Sequence, residues 1–239
     1  MQQFDNHPAA IDVVLWQYPQ NEGDGKRWKQ SLSSNELDRA AAYRFGRDRT
    51  SFIAGRYLLR RMLSAHAGIP PGEVVLLADK HGRLTLDRRD APQFSLANTD
   101  GLVAVAVASG SKCVGIDCEP ADTEIEEAAL ETYCSADERR WLDDLPTCER
   151  PRAAVALWAL KESHLKALGV GLGEDPRNIT FSWEDGTPVA AEAGTVDRRW
   201  HHRLIVGGSQ HVIALAVRSQ SGFPDVRVHK FQDDSIPSE

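Results

Sequence analysis

Two stretches of this chain, LVAVAVA at residues 102–108 and VIALAV at residues 212–217, are strands of alternating small apolar residues, and each follows glycine-containing turn material. Each lies in a half of the chain where long helical segments feed short antiparallel strands. The shared outline points to an α+β fold in two comparable parts; a duplicated fold and a coincidence between two common strand types both stay open at this level. With 239 residues, 41% of them hydrophobic, the chain can bury a substantial core as one large domain or two small ones.

Residues 11–16 (IDVVLW) read as a strand followed by a polar loop. Ser33-Ser34-Asn35-Glu36 has the form of a capping box opening a helix that runs to about residue 45, and a second helix spans 48–67 before Gly68-Ile69-Pro70-Pro71. Residues 74–77 and 84–86 form a hairpin around Lys80-His81-Gly82-Arg83, with two cations at its tip. Residues 94–101 lead through Asp100-Gly101 into the 102–108 strand, and residues 113–119 form another strand stopped by Pro120. Residues 120–150 contain ten acids and three arginines and carry a second capping box, Ser135-Ala136-Asp137-Glu138; they read as a solvated helical excursion. A main helix follows over 152–168, then strands at 179–183, 202–206 and 212–217 and a polar tail. Gly169-Val170-Gly171-Leu172-Gly173 follows a helix instead of opening one, which fits a helix C-cap and not a phosphate loop.

Lys and Arg total 28 against 35 Asp and Glu, a formal net charge of −7, which argues against a surface built to coat nucleic acid or membrane. Any anion site must be local, and residues 39–61 hold seven arginines (39, 44, 47, 49, 56, 60 and 61) against one acid, Asp48. Beside the anion-site reading, Arg56, Arg60 and Arg61 have a competing one: spaced along one helix, they could solvate its outer face or pair with the acids of 120–150. No set of base-stacking aromatics accompanies the cluster. Cys113, Cys118, Cys134 and Cys148 have neither Cys-x-x-Cys nor zinc spacing and read as reduced, mostly buried thiols. The first 25 residues lack a charged leader and an apolar stretch of signal length, so the expectation is a soluble cytoplasmic protein.

In Val114-Gly115-Ile116-Asp117-Cys118-Glu119-Pro120 the two-residue period puts Asp117 and Glu119 on one face of a strand. Side by side they repel unless a divalent cation such as Mg²⁺ takes their oxygens; a solvent-exposed strand end with two ordinary acids is the plainer alternative. On the 152–168 helix, Leu157, Leu160, Leu165 and Leu168 define an apolar arc with Trp158 at its edge, and Glu162 and Lys166 project beside it one turn apart. Such a pair by itself only stabilises a helix. Lys161 falls within the arc and must snorkel or meet an anion, and His164, also in the arc, reads as a packed histidine.

In chain order, Phe45-Gly46-Arg47-Asp48, Ala54-Gly55-Arg56, His81-Gly82-Arg83, Phe94-Ser95-Leu96-Ala97-Asn98-Thr99, Gly115-Ile116-Asp117-Cys118-Glu119 and the 158–169 segment WALKESHLKALG resemble the Sfp-type 4′-phosphopantetheinyl transferases over about residues 40–185. The specific signal is the ordered pair of a Gly-Ile-Asp-x-Glu strand and, about 40 residues later, Trp-x-x-Lys-Glu-x-x-x-Lys. The resemblance implies an α+β fold of two similar α/β halves related by pseudo-twofold symmetry, with coenzyme A between them. The halves would be 1–112, carrying coenzyme A phosphate contacts, and 113–239, carrying the Mg²⁺ and catalytic residues. It implies a Mg²⁺-dependent enzyme that moves 4′-phosphopantetheine from coenzyme A to a serine of an apo acyl or peptidyl carrier protein and releases 3′,5′-ADP. Asp117, Glu119 and Glu162 would hold Mg²⁺, Glu162 or a metal-bound water would deprotonate the serine, and Lys166 would neutralise charge on the bridging oxygen. Arg47, His81, Gly82, Arg83, Ser95, Leu96, Ala97, Asn98, Lys161 and Lys166 would contact coenzyme A. Where the family commonly has Asn-x-Ser-His, this chain has Ser95-Leu96-Ala97-Asn98, so a neutral amide replaces a histidine. That departure motivates an alternative: a degenerate module that binds coenzyme A or a carrier protein without chemistry. The chain is expected to act as a monomer, with no nucleic-acid or membrane partner.

Overall fold

The computed structural model describes residues 10–19, 25–80, 82–108, 110, 113–170, 173–205, 210–220, 222 and 224–233. The first half contains β1 (Ala10–Gln17), α1 (Gly25–Trp28), α2 (Ser34–Ala41), α3 (Gly46–Ala67), β2 (Leu76–Ala78), β3 (Leu84–Leu86), β4 (Gln93–Thr99) and β5 (Leu102–Ala108). The second contains β6 (Cys113–Pro120), α4 (Glu127–Tyr133), α5 (Ala136–Asp144), α6 (Arg150–Leu168), β7 (Ile179–Glu184), β8 (Thr187–Glu192), β9 (Thr195–Val196), β10 (Trp200–Ile205), β11 (His211–Arg218) and β12 (Asp225–Lys230).

The sheets run β12-β1-β5-β4 and β10-β11-β6, with β2-β3 and β7-β8-β9 as smaller units. The order strand, long helix, hairpin, strand, strand therefore occurs twice: β1, α3, β2–β3, β4, β5 and then β6, α6, β7–β8, β10, β11. In both cases the first strand pairs antiparallel with the last, which pairs antiparallel with the one before it. The fold is α+β with two similar halves.

Period-two alternation explains the layers. Val103, Val105 and Val107 of β5 join the cluster containing Phe52, Leu59 and Leu63 of α3. Leu102, Ala104, Ala106 and Ala108 join Val114 and Ile116 of β6 and Ile213 and Leu215 of β11 in a core between the two sheets. Val212 and Ala214 of β11 turn the other way, toward α6. The result is helix, sheet, sheet, helix, and the small side chains let the sheets approach. At this seam the Ile116 amide donates to Ser95 Oγ at 3.0 Å, tying β6 to β4.

Both capping boxes form as the sequence predicts, at Ser33/Glu36 and Ser135/Glu138. Three expectations change. The helix expected to run to about 45 stops at Ala41, and α3 starts afresh at Gly46 behind an extended Phe45. The 120–150 region is more than a solvated excursion, because Leu130, Tyr133, Cys134 and Leu142 pack into the second core and Glu138 is buried. The polar tail contains β12, which lies parallel to β1 with Arg227 opposite Asp12, so the last strand of the second half completes the first sheet. Asp12 holds it there: Arg227 Nε lies 3.0 Å from Oδ1, and His66 Nε2 meets Oδ2 at 3.1 Å. The four cysteines are free thiols, Cys118 and Cys134 buried and Cys148 exposed.

Candidate active site

Gly115 decides where α6 lies. A Cβ built on it would stand 1.9 Å from the Ser163 carbonyl oxygen and 2.6 Å from the Ala167 amide nitrogen, so only glycine lets the helix rest on β6 here. Asp117 and Glu119 share the face of Gly115 and therefore point at the same helix. On α6, Trp158, Glu162 and Lys166 follow one another at successive turns on a half-buried face. Lys166 Nζ donates to Asp117 Oδ1 at 2.7 Å, and Trp158 Nε1 donates to Glu119 Oε1 at 3.1 Å. Asp117 Oδ2 and Glu162 Oε1 are buried and without hydrogen-bond partners.

The carboxylates feel burial and one another. Burial and then the Asp117 charge, with Glu162 adding, push Glu119 up to about 7, against the opposing pull of the Trp158 hydrogen bond and Lys166. Glu162 is raised by burial and then by Asp117, with Lys166 opposing. Burial works against the Lys166 ammonium, but the charge and hydrogen bond of Asp117 outweigh it and hold the group above its ordinary value. Among the described residues no three metal-ligating side chains are already drawn around one point. The donor chemistry nevertheless fits a hard divalent cation: three mutually repelling carboxylates on a strand and a facing helix, two of them with buried oxygens left unpartnered.

Beside them opens a cleft of about 350 Å³ between the halves. Lys166 and Gly169 form its α6 wall, Gly82, Arg83 and Leu84 come from the β2–β3 hairpin, Phe94, Ser95, Leu96 and Asn98 from β4, and Arg39, Tyr43, Phe52 and Arg56 from α2, α3 and the turn between them. Gly169 caps α6 in the left-handed region, φ 76°, and its bare α-carbon lets the Arg83 guanidinium cross the helix end, where the last carbonyls favour a cation. Arg56 and Arg39 lie over the Phe52 ring at 5.0 and 5.5 Å. Arg56 is buried, which lowers its pKa, and its Nε and Nη1 have no hydrogen-bond partner. Asn98 Nδ2 donates to Ser51 Oγ at 2.8 Å.

Of the residues expected to act, Asp117, Glu119, Glu162 and Lys166 come together, and Gly82, Arg83, Ser95, Leu96 and Asn98 line the adjoining cleft. Others go elsewhere. Ala97 points into the core between the sheets. Arg47 pairs with Asp48 with 72% of its side chain exposed and does not line the cleft. Lys161 is wholly buried, 2.8 Å from Glu138 Oε2, and donates to the carbonyls of Pro176 and Ile179, so its anion is a structural partner. His81 lies outside the described residues. His164 is packed as expected, meeting His202 Nε2 and Glu192 Oε1, each at 2.9 Å. Arg56 and Arg60 follow neither form of the competing reading: both are buried and pair with Glu36, at 3.6 and 2.7 Å, while Arg61 stays exposed. Sequence reasoning missed Arg39 and Arg56 as cleft cations. The arginine cluster was the signal, but a half-buried Glu36 as the neighbour of Arg56 was not visible in it.

Residues 113–216, which contain β6 and α6, match the family described as the 4′-phosphopantetheinyl transferase superfamily. Over 169 residues, 68% of this chain and 71% of the other, the sequence is 31% identical to 4′-phosphopantetheinyl transferase HetI of Nostoc sp.. This chain belongs to that superfamily. It is a transferase. Broader likenesses are to a phosphopantetheinyl transferase of Thraustochytrium sp., 24% identical over 91% of this chain and 82% of the other, and to the human L-aminoadipate-semialdehyde dehydrogenase-phosphopantetheinyl transferase, 25% identical over 88% and 74%. A partial structural likeness, TM-score 0.37 at 26% identity over 44% of this chain and 62% of the other, is to holo-[acyl-carrier-protein] synthase of Thermotoga maritima. Gly115, Asp117, Glu119, Glu162 and Lys166 all lie within the matched segment. No helix of the described residues is long and apolar enough to cross a membrane.

Proposed function

We propose that this phosphopantetheinyl transferase takes 4′-phosphopantetheine from coenzyme A and attaches it to a serine of an apo acyl or peptidyl carrier protein. The observation that carries this is the meeting of Asp117, Glu119, Glu162 and Lys166 at one end of a cleft whose other walls present Arg39, Arg56 and Arg83. Phosphoryl transfer asks a protein mainly to position the groups and neutralise charge. Arg83, Arg39 and Arg56 suit coenzyme A phosphates, with Ser95 and Asn98 as neutral contacts. Asp117, Glu119 and Glu162 would hold Mg²⁺, which when bound supplies charge neutralisation at the pyrophosphate. Glu162, with its free Oε1 and raised pKa, accepts the serine proton. The serine oxygen bonds to the phosphorus bearing pantetheine, the bond from that phosphorus to the bridging oxygen breaks, and 3′,5′-ADP leaves with that oxygen. Lys166 stands where it can balance the charge gathering there.

On this reading the first half, 1–112, supplies most phosphate contacts and the second, 113–239, the carboxylates, so a single chain working as a monomer in the cytoplasm has both walls of the cleft. The test is incubation of a panel of apo carrier proteins with this protein, coenzyme A and Mg²⁺, read by intact-mass spectrometry and by chromatography for 3′,5′-ADP. Equal amounts of holo carrier and 3′,5′-ADP support it. Binding of coenzyme A without turnover on any carrier supports the degenerate module instead.

A further inference from the structure

Each carboxylate of β6 is gripped through one oxygen by one donor of α6. Lys166 takes Asp117 Oδ1 at 2.7 Å, and Trp158 takes Glu119 Oε1 at 3.1 Å. The first contact involves a group already given a part in the reaction. The second does not: an indole N–H is neutral, donates only, and neither moves protons nor counters a phosphate charge. Its ring is well fixed. Tyr133 meets Trp158 edge-on, with centroids 5.1 Å apart at 63°, and the Tyr133 hydroxyl donates at 3.0 Å to the Ala154 carbonyl, one turn earlier on α6. A glutamate at a strand end has several rotamers open to it, and a stationary donor on one oxygen selects among them. With Oε1 taken, the second oxygen of Glu119 is the one left for a cation shared with Asp117 and Glu162.

We propose that Trp158 is a positioning residue, whose indole N–H holds Glu119 by Oε1 and so presets that carboxylate for a divalent cation. The proposal rests on reading the three carboxylates as cation ligands. Partners that orient a ligating group are typically worth about 10–100-fold in metal affinity.

Two readouts test it. In ¹⁵N-labelled protein without added metal, the indole resonance missing from Trp158→Phe belongs to Trp158, and Glu119→Gln should move it away from the low-field position of a carboxylate-bound N–H; an unmoved resonance overturns the contact. In calorimetric titration with Mn²⁺, Trp158→Phe keeps an aromatic ring on Tyr133 and should bind about 10–100-fold more weakly than wild type. Added to Glu119→Gln, the same change should have no effect. Equal affinity in wild type and Trp158→Phe, or a further loss in the Glu119→Gln background, overturns the positioning role. A wild-type protein that binds no Mn²⁺ overturns the reading of the carboxylates as ligands, while the resonance still decides the contact. Circular dichroism of each variant separates these outcomes from loss of fold.

Discussion

Gly115 and Ser163 meet backbone to backbone: a methyl group on the glycine would stand 1.9 Å from the serine carbonyl oxygen. No side-chain rotation relieves that clash, so Gly115→Ala must push α6 off β6 and separate Asp117 and Glu119 from Glu162. The expected cost is about 3 kcal/mol or more, at or above the upper end for overpacked sites, read as a lower urea midpoint and loss of transfer activity. A variant of wild-type stability and activity would contradict the packing described.

Lys161 and Glu138 form an ion pair at 2.8 Å with both side chains fully buried, and Glu138 also accepts from the Phe181 amide at 2.7 Å. Lys161→Met leaves a buried carboxylate without its cation. Breaking such a pair from one side costs about 3–5 kcal/mol, so denaturation should show a large loss of stability. Coenzyme A affinity of the folded protein, measured by calorimetry, should be unchanged. A stable variant with weakened coenzyme A binding would restore Lys161 to the cleft.

Glu119, pushed up to about 7, makes the metal-free fold sensitive to pH. Because its folded pKa lies above the ordinary glutamate value near 4.5, the stability it contributes is full below that value and is lost as pH rises through about 7. Mg²⁺ binds the ionised form and offsets the loss. Mg²⁺ should therefore raise the melting temperature more at about pH 8 than at about pH 6, and Glu119→Gln should shrink the difference, leaving the part that Glu162, also raised, contributes. Equal shifts at both pH values in the wild type would contradict this.

Asn98 lines the cleft as a neutral amide. Asn98→His should tighten coenzyme A binding as pH falls through the imidazole range near about 6.5, because only the imidazolium adds charge toward a phosphate. Affinity and pH dependence unchanged by the substitution would make the residue incidental.

Asp12 anchors β12 to the first sheet. Burial acts to raise its carboxyl, but the His66 hydrogen bond and the charges of Arg227, His66 and His229 together hold it below its ordinary 3.8. Its contribution is thus present above that value and is lost as pH falls through the lower folded pKa. Asp12→Asn should make the protein less stable at neutral pH and raise amide exchange in β12 while β11 stays protected. Unaltered exchange in β12 would refute the anchor.

The parts of this molecule legible in the sequence are those set by local rules. Both capping boxes, the 102–108 strand and the shared face of Asp117 and Glu119 follow from spacing alone, and the motif pair placed Glu162 and Lys166 opposite them. What escaped depends on contacts distant along the chain. Nothing near Lys161 announces Glu138 as its partner, and nothing in the arginine run tells buried Arg56 from exposed Arg61. In β12, only Val226 joins the core between the sheets and Val228 is 42% exposed, so its periodicity is too faint to separate a strand from a tail. Ala97 shows the limit of a motif: its side chain joins the core between the sheets, while its neighbours Leu96 and Asn98 line the cleft.

If the carboxylates between β6 and α6 perform phosphopantetheine transfer, the reaction depends on Glu162. The most direct measurement is intact-mass spectrometry of one apo carrier protein incubated with coenzyme A, Mg²⁺ and either wild-type protein or Glu162→Gln, both shown folded by circular dichroism. Wild type should convert the carrier to its holo form with matching release of 3′,5′-ADP, and Glu162→Gln should be slower by about 100-fold or more. Conversion by Glu162→Gln at the wild-type rate, or no conversion by wild type of any carrier in the panel, would contradict the account.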